Sequence, residues 1–227
     1  MALLGSGAMI LAFDMAPEAL SDFDEWYTRE HLPERLSVPG FLRGTRWTAT
    51  SGSPRYFAMY EVKEVGILAS PPYLDRLNSP TPWTTKMMAH FRGMTRGFCG
   101  VTGSFGVGLG MSGLLLRFKP EAGKEAALRS WLTGEILPGL AKQPGLTSAH
   151  LFESKIKPEP TDEQRLRGQD AGVDWVILAT GYNPDTVAAL SNGALSAARL
   201  AQAGAGETVS GVYRQVYSLT DREAAHA

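Results

Sequence analysis

The sequence contains a single cysteine, Cys99, among its 227 residues. An internal disulfide is therefore excluded, as is a zinc site built from several cysteine thiolates. One cysteine beside eight methionines is typical of a reducing compartment, so we expect a cytoplasmic protein.

An excess of charge of either sign is also missing. The chain has 22 Lys and Arg against 23 Asp and Glu, a net charge of −1 and a pI near 6.4. Proteins that hold nucleic acid or an anionic membrane by electrostatics present a strongly basic surface. We expect neither partner here.

Long apolar stretches are absent, because no run approaches the roughly 20 residues that span a bilayer. The first segment, MALLGSGAMILAFD, has no basic start and no convincing cleavage site. It predicts a disordered start followed by a buried strand rather than a signal peptide. The apolar share of 44% is enough for an ordinary globular core.

Several motifs that mark known chemistries are missing. The four histidines show no H-x-x-x-H spacing, and the chain has no G-x-S-x-G elbow and no Gly-Lys-Ser/Thr phosphate loop. We therefore expect no metal and no cofactor. A haem held by one axial histidine stays open, since that site has no spacing rule.

The chain repeats itself at an offset of 105 residues. Met9–Trp47 aligns without gaps onto Leu114–Phe152 with nine identities in 39 positions, where average composition gives roughly two or three. Trp26 falls on Trp131, and the Leu-Pro and Pro-Gly pairs of the two copies coincide. The chain therefore consists of two related units, predicted at residues 1–106 and 107–227.

Each unit shows the same order of predicted elements. A short apolar strand precedes a segment of helical period, two further strands, a second helical stretch and a last strand. Pro33 and Pro138 are expected to end or kink the first helices. The order βαββαβ, twice, predicts an α+β fold of tandem ferredoxin-like units. The second unit adds a charged segment near 155–172, expected to be a solvated loop.

The run W-Y-x-x-x-H-L-P followed by V-P-G-F-x-x-x-x-R-W, from Trp26 to Trp47, resembles the dimeric α/β-barrel superfamily, with its EthD-like and related uncharacterised members nearest. The resemblance covers both units and implies that two antiparallel sheets pack as a pseudo-dimeric barrel around an apolar cavity. The superfamily includes cofactor-free monooxygenases of aromatic polyketides, isomerases, cyclases and haem peroxidases. A monomer with an internal pseudo-dimer, or a homodimer, would suit the duplication.

Comparing the copies points to candidate site residues. Four positions are apolar in the second copy and polar or amphipathic in the first: Tyr27 for Leu132, His31 for Ile136, Arg35 for Leu140 and Arg46 for Leu151. The first three are spaced by four and share one helical face. A polar group at a buried position costs stability unless it is paired. His31 is thus either an acid-base group or a histidine satisfied by the backbone near Pro33.

Four other residues complete the predicted site. Arg43 and Trp47 alternate with Arg46 along a strand, so they face the other side; if that side lines the barrel, they can hold an acidic aromatic ligand. Trp83 and His90 belong to a Met-rich helical stretch that is typical of a core face and also suits an apolar ligand site.

Two functions remain open from the sequence. The first is an EthD-like enzyme, an isomerase, cyclase or cofactor-free monooxygenase, in which His31 moves a proton on an apolar or aromatic carbonyl compound while Tyr27 and Arg46 position it. The second is a binding or structural barrel without catalysis. The second copy supports it, because that unit lacks the histidine.

Overall fold

The computed structural model describes residues 2–226. Its strands are β1 (Gly7–Met15), β2 (Phe41–Gly52), β3 (Tyr56–Val62), β4 (Phe91–Gly106), β5 (Ser112–Pro120), β6 (Leu146–Ile156), β7 (Ala171–Gly172), β8 (Trp175–Gly181) and β9 (Ala205–Thr220). Its α-helices are α1 (Leu20–Trp26), α2 (Leu32–Leu36), α3 (Pro71–Leu77), α4 (Pro82–Met88), α5 (Glu125–Trp131), α6 (Leu137–Leu140), α7 (Asp162–Arg167), α8 (Pro184–Ala189), α9 (Ala197–Gln202) and α10 (Asp221–Ala224).

The strands form one closed barrel with the helices outside. Each unit contributes a four-stranded antiparallel sheet, in the orders β4-β1-β3-β2 and β9-β5-β8-β6. The sheets join edge to edge, β2 with β9 and β4 with β6, both antiparallel. The predicted fold class is confirmed, and a single chain closes the barrel without a second subunit.

The inside of the barrel is filled by side chains. Along β1, Ala8, Ile10 and Ala12 point inward, whereas Met9 and Leu11 point toward the helices, as the two-residue period of a strand requires. An eight-stranded barrel has just enough room inside for side chains. The interior is packed with buried residues that include Trp47, Phe57, Met59, Leu115, Phe152, Val176, Leu178 and Tyr213. The expected cavity between the two sheets is therefore wrong.

The first helix of each unit does not end before its proline. Between α1 and α2 lies one π-helical turn, Tyr27–His31, in which the N–H of Leu32 donates to the carbonyl of Tyr27 five residues earlier. The second copy has the same turn at Leu132–Ile136. The wider turn places Pro33 at the start of α2, where its missing N–H costs little. The helical path thus runs on to Leu36 instead of ending or breaking at Pro33.

Two predicted irregular segments are ordered. At the N-terminus, Ala2 and Leu3 are buried, and the N–H of Leu4 donates to Glu61. The charged segment of the second unit, called the insert and comprising residues 157–172, forms α7 and the short β7, which pairs with β4. The segment therefore contains a helix, keeps most of its residues at least partly exposed, and lies against the first unit.

Within residues 2–226, helices of a length and apolarity suited to crossing a bilayer do not occur.

The barrel interior gives a first prediction. Trp47 is fully buried and stacks on Phe57 with ring centroids 5.9 Å apart, so Trp47→Ala should lower the free energy of unfolding by about 3–5 kcal/mol. Urea denaturation measures the loss. The matched control is Trp83→Ala, because Trp83 is only half-buried; equal losses for the two variants would contradict the packed interior.

Candidate active site

A small cavity lies between the outer face of the first sheet and the helices that cover it. Its volume is about 30 Å³. Most of the wall is apolar, and the polar side chains gather from the helix and the insert. The lining residues are Met9, Leu11, Phe13, Tyr27, His31, Arg35, Tyr73, Leu77, Met88, Phe91, Met94, Arg96, Glu163 and Arg167.

The polar face predicted from the sequence lies along this cavity. Tyr27 and His31 come from the π-helical turn and Arg35 from α2, and all three line the wall. Their spacing of four residues puts them one above the other on a helix. Two of the seven predicted site residues, Tyr27 and His31, are thus brought together, and Arg35 extends the same row.

His31 is buried and 6% exposed. Its ring lies 4.2 Å from the Trp26 ring and 5.0 Å from the Tyr27 ring, centroid to centroid. Among the described residues, none accepts from or donates to its Nδ1 atom. Burial, and then the charges of Arg35 and Arg167, hold the pKa of His31 well below its ordinary value. The imidazole is therefore neutral at pH 7 and has a nitrogen available for a proton.

Tyr27 is held as a neutral hydrogen-bond donor. The hydroxyl of Tyr60 donates to the Tyr27 oxygen at 2.7 Å, which leaves the Tyr27 proton free for another acceptor. Burial raises the pKa of Tyr27 to about 12 despite that hydrogen bond. This phenol can donate to a ligand oxygen, and it does not ionise near neutral pH.

Arg35 forms a buried ion pair with the insert. Its Nη2 donates to Glu163, and its Nη1 donates to Glu34 Oε2 at 3.1 Å. Arg35 and Glu163 are 1% and 2% exposed. Burial opposes the charge of Arg35, but Glu163, Tyr73 and Glu34 together outweigh burial and hold the pKa of the arginine above its ordinary value.

Two more guanidinium groups reach the cavity from its insert side. Arg167 makes a bidentate pair with Asp170 at 2.8 and 2.7 Å. Arg96 Nε lies 2.9 Å from the same carboxylate, and its Nη2 donates to Gln164 at 3.2 Å. This end of the cavity is therefore lined by arginines that are paired with carboxylates, whereas the opposite walls are apolar.

The remaining predicted residues lie elsewhere. Arg43 and Trp47 face the side of the sheet opposite to Arg46, as their alternation indicated, and this side lines the filled interior of the barrel. Arg43 donates to Glu61 at 2.6 Å and to the carbonyl of Ala2 at 3.0 Å. Trp47 belongs to the packed interior.

Arg46 packs against aromatic rings next to the cavity. Its Cζ lies 5.2 Å from the Tyr27 ring centroid and 5.4 Å from that of Phe23. Its Nη1 is 3.2 Å from Asp24. Arg46 touches Tyr27 without lining the cavity.

Trp83 and His90 are not brought to the cavity. Trp83 donates from Nε1 to Asp22 at 3.0 Å, on the outer side of α4. His90 is half-buried, with Nδ1 3.8 Å from Glu18. Met87 and Met88 of the same stretch are buried in the first core, as a core face predicts.

Sequence reasoning missed four polar lining residues: Tyr73, Arg96, Glu163 and Arg167. Glu163 is 128 residues from Arg35 and belongs to the insert of the other unit, so no local spacing points to it. The signal that did exist was the exchange of Leu140 for Arg35 between the copies.

The second unit shows the same helix without the polar row. Leu132, Ile136 and Leu140 are buried in an apolar cluster at the equivalent positions. The fold of the second unit therefore accepts leucine and isoleucine at these places.

The cavity does not fit a haem as it stands, because a porphyrin is many times larger than 30 Å³. Residues 2–226 also contain no group of three His, Cys, Asp or Glu side chains placed to hold a metal ion.

Several solved structures share this architecture. An anthrone oxidase-like protein is 13% identical, with 96% of this chain and 94% of that chain aligned at a TM-score of 0.67. A proposed monooxygenase from Fusobacterium nucleatum is 7% identical, with 96% of both chains aligned at 0.61. A mutant chlorite dismutase from Candidatus Nitrospira defluvii is 13% identical, with 98% and 95% aligned at 0.54.

No protein-family model matches the sequence, and no curated protein matches it closely enough to count as a relative. The structural likenesses confirm the fold that the sequence resemblance implied: a dimeric α/β barrel, closed here by one chain. At sequence identities of 7–13%, these similarities support a shared fold and nothing further.

Two buried histidines predict how stability depends on pH. Burial lowers the pKa of His31 well below 6.5 and that of His150 to about 3. The unfolded chain therefore binds more protons below pH 6.5, so stability is full above 6.5 and falls as the pH drops. Each histidine contributes a slope of up to about 1.4 kcal/mol per pH unit.

Replacing His31 by isoleucine, the residue at the equivalent position of the second unit, isolates the contribution of His31 to the pH dependence of stability. His31→Ile should reduce the loss of unfolding free energy between pH 7 and pH 5 by about 2 kcal/mol. Urea denaturation at the two pH values measures it, with His90→Gln as a control outside the cavity. An unchanged pH dependence in His31→Ile would contradict the buried, neutral histidine.

Proposed function

We propose that this protein is a small-molecule enzyme of the EthD-like kind that removes a proton from an apolar or aromatic carbonyl compound or phenol, with His31 as the base. The observation that carries the proposal is the neutral, buried His31 with an unpartnered Nδ1 on the wall of an otherwise apolar cavity. A buried polar atom without a partner costs about 1–3 kcal/mol, and a ligand that supplies one would recover that cost.

The neutral imidazole suits the role of a base rather than an acid. It accepts the proton at a ring nitrogen, and the resulting imidazolium lies beside the negative charge that develops on the substrate oxygen. The attraction between these two charges offsets the free-energy cost of a buried imidazolium, which keeps His31 neutral in the absence of substrate. Proton transfer by a positioned histidine typically accounts for about 10²–10⁴ of a rate enhancement.

Tyr27 completes the site as the donor to the developing oxyanion. Tyr60 already donates to its oxygen, so the Tyr27 proton can point at the substrate. Arg46 acts as a positioning residue, because it holds the Tyr27 ring and does not reach the cavity. A preorganised donor of this kind is worth about 10²–10³ in rate.

Abstraction of a proton beside a carbonyl begins isomerisation, cyclisation and cofactor-free oxidation alike. The names of the structural neighbours, an anthrone oxidase-like protein and proposed monooxygenases, favour oxidation. Anthrone is then the natural probe: loss of its methylene proton gives an anion that reacts with dioxygen, and anthrone plus O₂ yields anthraquinone plus water.

The test compares anthrone oxidation by the wild type and by His31→Ile, followed as anthraquinone absorbance and oxygen uptake. We expect kcat/KM to fall about 10²–10⁴-fold in His31→Ile and about 10²-fold in Tyr27→Phe. The second copy contains isoleucine at this place, so the fold should persist, and circular dichroism checks this. His90→Gln is the matched histidine control and should keep the wild-type rate; wild-type turnover by His31→Ile would refute the role of His31.

The second candidate is a carrier that binds an apolar ligand without reacting it. The second unit favours it, because the fold forms there around an entirely apolar helix face. A carrier predicts that His31→Ile alters ligand affinity while no variant changes the rate of anthrone oxidation above the background in buffer.

A further inference from the structure

The cavity is too small, as it stands, for the ligand class proposed above. Its volume of about 30 Å³ compares with the roughly 150 Å³ of a protein cavity that takes up benzene. Any aromatic ligand therefore requires part of the wall to move.

The insert is the part of the wall least tied to the core. It contributes Glu163 and Arg167 to the cavity, whereas the other lining residues belong to β1, β4 and the helical segments of the first unit. The apolar side chain of α7, Leu166, is 43% exposed. A segment that buries little apolar surface opens at a low free energy.

Polar contacts hold the insert in place. Glu163 binds Arg35, Asp170 binds Arg96 at 2.9 Å, and the N–H of Asp162 donates to Asn78 at 3.1 Å. Contacts of this kind can be exchanged for equivalent contacts to a ligand or to water. The polar contacts that hold the insert against the first unit can therefore break and re-form.

The fold does not require a charged side chain at the position of Arg35. Its counterpart Leu140 is buried in the second unit, and apolar replacements of a buried ion pair are often neutral or stabilising. Retaining an arginine here places a bidentate donor for a carboxylate at the end of an apolar cavity.

Three arginines and one carboxylate line this end of the cavity. Arg35, Arg96 and Arg167 lie there with Glu163, and Glu34 and Asp170 pair with the arginines from outside the lining. A ligand carboxylate that displaces Glu163 would therefore meet a guanidinium already placed to pair with an anion.

On the basis of the function proposed above, we propose that the insert is a lid and that the ligand is an aromatic carboxylate that replaces Glu163 on Arg35. Glu163 holds the place of that carboxylate in the closed, empty site. When the ligand enters, its carboxylate takes over the guanidinium, Glu163 is released to solvent, and the insert moves away from α4 and β4.

The spacing of the polar row also sets where the ligand reacts. Four residues of helix rise about 6 Å between Cα atoms, so a ligand whose carboxylate is held by Arg35 extends toward His31, one turn away. Tyr27 lies a further turn along. The ligands that fit this row are aromatic ketones or phenols with a carboxyl group at one end and the atom that loses the proton nearer His31.

Binding of 2-naphthoate and of the uncharged 2-naphthamide, measured by calorimetry, tests the carboxylate. The two probes share one ring system and differ in charge. We expect the wild type to bind naphthoate at least 10-fold more tightly. Glu163→Gln removes the internal competitor and should tighten naphthoate binding by a further 10-fold or more.

A double variant removes the anion site without leaving a lone buried charge. Arg35→Leu combined with Glu163→Leu reproduces the apolar pattern of the second unit at Arg35, and we expect it to bind the two probes equally. Arg165→Gln is the matched control, because Arg165 lies on α7, is exposed and pairs with Asp162. It should keep the wild-type preference.

Hydrogen exchange of the backbone amides of the insert tests the lid. We expect naphthoate to speed exchange across residues 162–167 in the wild type, and Glu163→Gln to speed it without ligand. Equal affinity for the two probes in the wild type, or insert amides that ignore saturating naphthoate, would overturn the proposal. Both readouts are independent of turnover, so His31→Ile should retain the naphthoate preference even where it loses anthrone oxidation.

Discussion

The closure of the barrel through the edge pairs β2–β9 and β4–β6 is the constraint on which the rest of the structure depends. Closure satisfies every sheet edge of the two units and buries the inner face of each strand in a space only wide enough for side chains. The outer faces must then be covered by the helices. The cavity of the first unit lies in this layer, between the sheet and the helices.

Duplication allowed the two units to diverge on one helix face. Both units keep the tryptophan, the Leu-Pro pair and the π-helical turn, so these features belong to the fold. The polar row of Tyr27, His31 and Arg35 occurs in the first unit alone. The second unit contributes the insert that covers this row, so each half of the chain supplies a different part of one site.

The sequence predicted the fold well because rare residues carry the repeat. Tryptophan, proline and glycine at matching places established two βαββαβ units, and the exchange of Ile136 for His31 pointed to the cavity wall. The position of the cavity could not be predicted, because β1 is apolar on both faces and alternation does not show which face is inside the barrel. The course of the helix past Pro33 was not predicted, for another reason. A proline removes one helical hydrogen bond, which usually ends or kinks a helix. Here a π-helical turn, with a hydrogen bond over five residues, lets the helix continue, and no local sequence pattern predicts such a turn.

The most direct measurement of the central claim is an NMR titration of the histidine ring C–H signals, with His31→Gln to assign the resonance of interest. His31 is buried among Trp26, Tyr27 and the guanidinium of Arg35, which hold its pKa well below 6.5. The account predicts a His31 signal that stays in its neutral position from pH 8 down through 6.5 and shifts when 2-naphthoate is added. A signal that titrates near 6.5 and ignores the ligand would contradict a buried ligand-binding histidine.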